Sequence, residues 1–259
     1  MNINKGDFVT RKSYNHDTVF KVINIKDSIY YLKGVEVRLY ADSDYNDLVK
    51  CNEPTEDEFL IKRDDRKNVE VEKSDYFYLP GKILHIDGDN EYLDKCLKYY
   101  KYSGVYAIGK KIKEEDIYEQ IGTLLKEYKP DIVIITGHDA YYKKKGNIKD
   151  NDNYKNTKHF IKGIKAAKNY EKSHEKLVII AGACQSNYEE LIKAGANYAS
   201  SPKRVNIHAL DPAIIAVTIA LTERNKEIDL KSILEKTKYG KDGMGGIIGN
   251  GLMYVGYPR

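Results

Sequence analysis

The sequence has no tryptophan, only three cysteines and no long apolar run among its 259 residues. Cys51, Cys96 and Cys184 are too few for a disulfide framework, and their spacing matches no metal-binding motif. We therefore expect a reducing compartment. No cluster of His, Cys, Asp and Glu has metal-ligand spacing either, and we expect neither a metal nor another cofactor. The longest apolar stretch, residues 213–221, is too short to cross a bilayer, and the first residues lack the apolar segment of a signal peptide. These features predict a cytoplasmic protein with no membrane partner.

A strong charge imbalance is also lacking. The chain carries 43 basic and 39 acidic residues, and the resulting net charge of +4 does not argue for a nucleic-acid partner. Hydrophobic residues make up 41% and charged residues 32%, which is ordinary for a soluble globular protein. The length allows one large domain or two smaller ones.

Three segments of different character follow one another along the chain. Residues 1–50 predict a small SH3-like β-barrel, because short apolar strand candidates alternate with turn residues. Residues 51–76 are rich in charge and are interpreted as a linker. Residues 77–259 alternate strand and helix patterns, which predicts an α/β domain with a mostly parallel sheet and flanking helices. The strand candidates of the first segment are 8–9, 19–25, 29–32 and 35–39.

The α/β segment is predicted in more detail from its hydrophobic periodicity. Strands are expected at 83–86, 105–108, 131–138, 177–184, 197–199, 205–207 and 252–255. Helices are expected at 90–102, 114–128, 154–171, 187–194 and 229–238. Another helix starts at Asp211-Pro212, with Asp211 as N-cap and Pro212 in the first turn. The glycine-rich stretch 240–251 has no phosphate-loop pattern and is interpreted as a flexible loop.

Two of the predicted strands are β-branched runs that each end in a reactive side chain, His138 and Cys184. Such runs suit strands buried on both faces of a parallel sheet, whose carboxyl ends carry the chemistry of α/β proteins. If the strands are neighbours, the imidazole and the thiol meet at that edge. A thiol beside an imidazole forms a thiolate nucleophile with its own general base. The pattern predicts a cysteine hydrolase, with Cys184 as nucleophile and His138 as general base and acid.

The residues around Cys184 suggest how its thiolate and an oxyanion are stabilised. Ser186 and Glu189 have the spacing of a capping box, which would put Cys184 just outside the positive end of a helix dipole. The backbone N–H groups of Cys184 and Asp139 are the candidate oxyanion donors, because both follow strands that end at the predicted catalytic edge.

Several polar residues are candidates for binding substrate at the same edge. Asp87, Asp89 and Asp139 could each pair with a basic side chain, most strongly with an arginine guanidinium. For Asp87 and Asp89 the alternative is a role in the turn. His208 is either a second candidate base or a residue that orients the site, and Asp211 either contacts substrate or caps its helix. With His208 as base, the enzyme would be an amidase- or amidotransferase-like hydrolase, in which the base usually lies C-terminal to the nucleophile.

A strand ending in histidine followed by a strand ending in cysteine resembles the caspase-like cysteine peptidases, a group that includes caspases, legumain, clostripain, gingipains and separase. That resemblance implies a caspase-like α/β fold. In those enzymes a glycine usually follows the histidine, whereas this chain has Asp139.

Longer motifs resemble the YabG family of sporulation-specific peptidases from spore-forming Firmicutes. The matching segments are GDFVTRKSY at 6–14, ADSD at 41–44, PGKILHIDGD at 80–89, TGHDAY at 136–141, AGACQS at 181–186 and SSPKRVNIHALDP at 200–212. The resemblance implies an endopeptidase in the mother cell of a sporulating bacterium, in its cytoplasm or at the forming spore coat. Its implied substrates are spore coat and cortex-associated proteins, cut next to basic residues and especially after arginine, and the chain itself is a candidate substrate. A non-catalytic coat scaffold that binds through the β-barrel is the alternative.

Overall fold

The computed structural model describes residues 2–54, 75–142 and 146–257. The chain divides into two compact units. The first comprises the described residues up to Phe77 together with Tyr257, and the second runs from Tyr78 to Gly256. Most of the predicted linker falls on residues 55–74, which lie outside the described residues.

The first unit contains an antiparallel sheet of five short strands in the order β4-β3-β2-β1-β5. The strands are β1 (Phe8–Arg11), β2 (Phe20–Lys26), β3 (Ile29–Gly34), β4 (Tyr40–Asp44) and β5 (Leu48–Cys51). The turn between β2 and β3 contains Asp27 and Ser28, both with positive φ, as in a two-residue hairpin. A core of aliphatic side chains around Phe20 lies against the sheet.

The predicted strand at 35–39 is wrong, because this stretch is a tight connection and β4 begins only at Tyr40. Gly34 N–H donates to Leu39 O at 2.7 Å, and Leu39 N–H donates to Val37 O at 2.8 Å. Val37 and Leu39 are nevertheless buried in the core of the unit. Their alternating pattern therefore reflects burial of side chains from a connecting segment that is not a continuous strand.

The second unit contains a six-stranded sheet in the order β12-β11-β10-β9-β7-β8. Its first five strands along the chain are parallel, and β12 joins the edge antiparallel to β11. The predicted mostly parallel sheet is thus confirmed. Strands β6 and β13 are not part of this sheet. The bounds are β6 (Phe77–Leu79), β7 (Ile83–Asp87), β8 (Ala107–Lys111), β9 (Ile132–Thr136), β10 (Val178–Ala181), β11 (Tyr198–Ser200), β12 (Met244–Gly246) and β13 (Tyr254–Gly256).

Helices cover both faces of this sheet, as predicted. One face packs on α2, α3 and α4 through a core that includes Ile121, Ile164 and Leu191. On the other face α1 and α5 contact the strands. The helices are α1 (Asn90–Tyr102), α2 (Ile117–Tyr128), α3 (Thr157–Tyr170), α4 (Tyr188–Ala194), α5 (Asp211–Ala220), α6 (Leu230–Glu235) and α7 (Gly240–Gly243).

Two predictions near the end of the chain are wrong. Residues 205–207 form no strand and are instead an extended loop between β11 and α5. The glycine-rich stretch 240–251 begins with α7 and β12 and is not simply a flexible loop. A Cβ atom at Gly245 would collide with the ring of Tyr188, and one at Gly246 with the ring of Tyr198. These glycines therefore permit close packing of the edge strand.

Among the helices of the three described ranges, none has the length and apolar character needed to cross a membrane.

Candidate active site

The two strands that lead to the predicted catalytic residues are parallel neighbours. Residues 132–135 of β9 pair in register with residues 178–181 of β10. Both strands are fully buried, which explains their continuous aliphatic sequences. His138 follows the end of β9 by two residues, and Cys184 follows the end of β10 by three. The predicted adjacency of the two strands is confirmed, and both residues follow the carboxyl edge of the sheet.

Cys184 lies beneath the loop between β11 and α5, and its residue surface is fully buried. The Ile207 N–H donates to Cys184 Sγ at 3.2 Å, and the Cys184 thiol donates to Ile207 O at 3.7 Å. The neighbouring Gln185 N–H is bonded to Ser201 Oγ at 2.9 Å and to Val205 O at 3.2 Å. A backbone donor aimed at sulfur stabilises a thiolate, because hydrogen bonds to the charged form favour it.

The predicted capping box after Cys184 is wrong. Helix α4 begins at Tyr188, and its N-cap residue Asn187 makes no side-chain capping bond. Ser186 accepts the Ala183 N–H at 3.0 Å and donates to Asp139 Oδ2 at 2.8 Å. Because α4 has only seven residues, the Ile207 N–H is a better-supported source of thiolate stabilisation than the helix dipole.

His138 is held through its ring, its N–H and its carbonyl. Its Nε2 lies 3.2 Å from Asp89 Oδ2, and its ring centroid lies 5.6 Å from that of Tyr92. Its backbone N–H donates to Glu114 Oε1 at 2.7 Å, and its carbonyl accepts from Asn156 Nδ2 at 2.8 Å. These contacts fix the ring in one orientation at the sheet edge.

Glu114 is a site residue that the sequence interpretation missed. Its carboxylate contacts the backbone at two glycines, since a Cβ atom on either Gly88 or Gly137 would collide with it. Gly88 follows β7 and Gly137 precedes His138. The paired glycines after neighbouring strands were the available signal, because they indicate a close approach by another group.

Asp139 lies at the edge but faces inward. Its carboxylate accepts hydrogen bonds from the N–H groups of Ala140 and Asn156 and from the hydroxyls of Thr157 and Ser186. Burial raises the pKa of this carboxyl above its usual range, and the four hydrogen bonds oppose that rise. Its described contacts make Asp139 a bridge between the loops after β9 and β10 and favour a structural role for its side chain.

Asp87 is fully buried and also bonded within the protein. Its Oδ1 accepts the Asp89 N–H at 2.9 Å, and its Oδ2 accepts the Thr136 hydroxyl at 3.0 Å and lies 3.5 Å from His85 Nε2. The His85 Nδ1 in turn lies 2.7 Å from the Tyr100 hydroxyl. These contacts favour the turn interpretation of Asp87 over substrate binding.

The side chains of His208 and Asp211 both accept hydrogen bonds from backbone N–H groups at the start of α5. The Leu210 N–H donates to His208 Nδ1 at 3.1 Å, so the neutral ring carries its proton on Nε2. Asp211 accepts the His208 N–H at 2.8 Å and the Lys238 N–H at 2.9 Å. The predicted N-cap role of Asp211 is wrong, since the helix begins at Asp211 and the capping position is Leu210.

Comparison with known proteins identifies the chain at the level of a family. The family model of YabG peptidase U57 matches residues 4–72 and 55–258. The curated protein "Sporulation-specific protease YabG" of Bacillus subtilis (strain 168) is 42% identical over 284 residues. That alignment covers 98% of this chain and 97% of the relative. The chain therefore belongs to the YabG peptidase family and is a protease.

Proposed function

We propose that this protein is a cysteine endopeptidase of sporulation in which Cys184 is the nucleophile and His138 the general base and acid. The observation that carries the proposal is the parallel pairing of β9 with β10, because each catalytic candidate follows one of these adjacent strands. A histidine and a cysteine after neighbouring strands also support a caspase-like arrangement of the α/β unit. The five short antiparallel strands support an SH3-like barrel for residues 1–50.

In the proposed reaction the Cys184 thiol gives its proton to His138, and the sulfur attacks the carbonyl carbon of the scissile peptide bond. The tetrahedral oxyanion is stabilised by the backbone N–H groups of Cys184 and Asp139. His138 then protonates the leaving amine as the C–N bond breaks, which leaves a thioester. Water hydrolyses the thioester and restores the thiol.

Access to the sulfur requires a movement of the loop that covers it. The backbone of Ile207 hydrogen-bonds to Cys184 Sγ through both its N–H and its carbonyl. A substrate carbonyl can approach only after this backbone has moved away from the sulfur. We infer that the described arrangement is the resting state and that peptide binding displaces residues 205–207.

The biological substrates are proposed from the family. The name of the curated relative assigns it to sporulation, and we extend this role to the present chain. The proposed substrates are spore coat and cortex-associated proteins, cut next to basic residues with arginine favoured, together with the chain itself. The proposed location is the mother-cell cytoplasm or the forming coat. Of the acidic candidates, Asp87, Asp139 and Asp211 accept hydrogen bonds inside the protein, so a carboxylate for the basic side chain is better sought elsewhere at the edge.

The test uses purified full-length chain with fluorogenic peptides that differ only in having Arg, Lys or Gln before the cleaved bond. We expect cleavage with Arg preferred and no cleavage above background by Cys184→Ala. Cys96→Ala is the matched control, because Cys96 is also fully buried but lies on α1. A Cys184→Ala protein that cleaves as fast as Cys96→Ala would refute the cysteine mechanism.

A further inference from the structure

We propose that Asp89 is a positioning residue for His138 and that it makes Nδ1 of the ring the atom that accepts the thiol proton. The inference rests on the proposed function, in which His138 is the base. Asp89 Oδ2 lies 3.2 Å from His138 Nε2, and the two side chains are only 7% and 11% exposed. A carboxylate only accepts hydrogen bonds, so Nε2 carries a proton in this pair. In the neutral ring the lone pair then belongs to Nδ1.

Asp89 is itself rigidly placed. Its Oδ1 accepts the N–H groups of Glu91 at 2.9 Å and Tyr92 at 3.3 Å, which makes it the N-cap of α1. Its own N–H donates to Asp87 Oδ1 at 2.9 Å. One carboxylate oxygen therefore anchors the residue to the helix while the other meets the histidine. A catalytic side chain held by a partner that is itself bonded keeps its orientation through the reaction.

The location of the pair explains why the carboxylate matters to the chemistry. When His138 takes the thiol proton at Nδ1, the proton on Nε2 stays in place, and the resulting imidazolium faces Asp89. No proton passes to the carboxylate. An ion pair in a largely buried setting is screened less than one in water, so Asp89 stabilises the charge that forms on the ring.

The same residue was a candidate for binding a basic substrate side chain, and its contacts favour the positioning role. Oδ1 is occupied by two backbone donors and Oδ2 by the imidazole. An arginine of the substrate would have to compete with His138 for Oδ2. The geometry thus assigns Asp89 to the histidine, and another group would have to bind the basic side chain of the substrate.

The main test is Asp89→Asn in the full-length chain. Asparagine has nearly the same shape and is an equally good N-cap, so α1 keeps its start. Its amide nitrogen can only donate, which favours a proton on Nδ1 in place of Nε2. We expect kcat on an amide substrate to fall roughly 10²-fold with little change in KM, as for loss of a correctly oriented base. Asp229→Asn is the control, since Asp229 caps α6 through the Ser232 N–H.

Two readouts separate positioning from a merely structural effect. In the ¹⁵N spectrum of histidine-labelled protein, at a pH where the ring is neutral, we expect His138 to be protonated on Nε2 in the wild type and to shift toward Nδ1 in Asp89→Asn. The acidic limb of kcat/KM against pH should also move to lower pH. Titratable groups in contact with His138 include Tyr92 and Glu114, and Asp89→Asn leaves both in place.

Two outcomes would overturn the inference: a wild-type His138 protonated on Nδ1, or an Asp89→Asn enzyme with unchanged kcat and pH profile. If Asp89→Asn does not fold, Asp89→Ser keeps a capping hydroxyl too short to reach the ring and should show the same loss of kcat. Failure of the proposed function looks different, because His138→Ala would then retain cleavage. Even in that case, the tautomer of His138 in the wild type tests whether Asp89 pairs with Nε2 of the ring.

Discussion

The environments of His138 and His208 differ in the kind of group that meets the ring. A carboxylate lies against Nε2 of His138, whereas a backbone N–H donates to Nδ1 of His208. The first contact places the lone pair of the neutral ring on Nδ1, as the proposed role of His138 as base requires, and the second uses the lone pair on Nδ1 to hold a turn. Both histidines are buried, yet their hydrogen bonds favour a base in one case and a structural residue in the other.

The largest expected effect comes from exchanging the two histidines for alanine. We expect His138→Ala to lower kcat/KM by at least about 10³-fold, because the thiol loses its base. His208→Ala should retain most of kcat/KM and lose folding stability, since the start of α5 loses the bond to Leu210 N–H. For both variants, steady-state cleavage gives kcat/KM and thermal unfolding gives the change in stability. The reverse ranking would favour the amidase-like mechanism.

A large loss of stability is expected from Asp139→Ala. Removing this buried carboxylate leaves two hydroxyls and two N–H groups without their acceptor, which should cost about 3 kcal/mol or more of unfolding free energy. Denaturant unfolding measures the change. Asp94→Ala on the exposed side of α1 is the control and should change stability little. A loss no greater than that of the control would mean that Asp139 does not join the loops after β9 and β10.

The smallest effect should come from Glu189→Gln beside the segment that leads to His208. Burial acts to raise the pKa of Glu189, but the hydrogen bond and charge of Arg204 outweigh it and lower the pKa below its usual value. Glu189 is more than half exposed, so the ion pair should add less than about 1 kcal/mol at neutral pH.

The sign of its pH dependence follows from that lowered pKa. The stabilisation is present above the unfolded-state pKa and is lost as pH falls through the folded-state pKa. Unfolding free energies of wild type and Glu189→Gln should therefore differ at neutral pH and converge in acid. A difference that persists in acid would show that packing, and not charge, accounts for the contribution of Glu189.

The sequence predicted the parts of this arrangement that follow from periodicity. The aliphatic runs before His138 and Cys184 specify buried parallel strands, and repeated helix patterns specify crossovers that make them neighbours. The positions of the main helices follow for the same reason. These features depend on local order along the chain, and a pattern of side chains is sufficient to encode them.

Contacts between distant loops could not be read in the same way. Nothing in the local sequence states that the Ile207 N–H donates to Cys184 Sγ, or that Asp89 Oδ2 lies against His138 Nε2. The capping-box pattern at Ser186 was misleading because the hydroxyl oxygen accepts the Ala183 N–H, while its proton is donated to Asp139, which is 47 residues away. Other hydrogen bonds override a local capping preference when they orient the capping side chain away from the first turn of the helix.

The contact between Glu114 and the backbone of His138 has a consequence for which substitutions the enzyme tolerates. Gly88 and Gly137 have no side chain with which to take part in proteolysis, yet even a methyl group on either would force Glu114 away from the His138 N–H. The two glycines, one after each of two strands, thus leave room for the carboxylate that holds the backbone of His138 in place. A family member that carries alanine at one of these positions should show a compensating change at 114, so this acid and the two glycines should vary together among relatives.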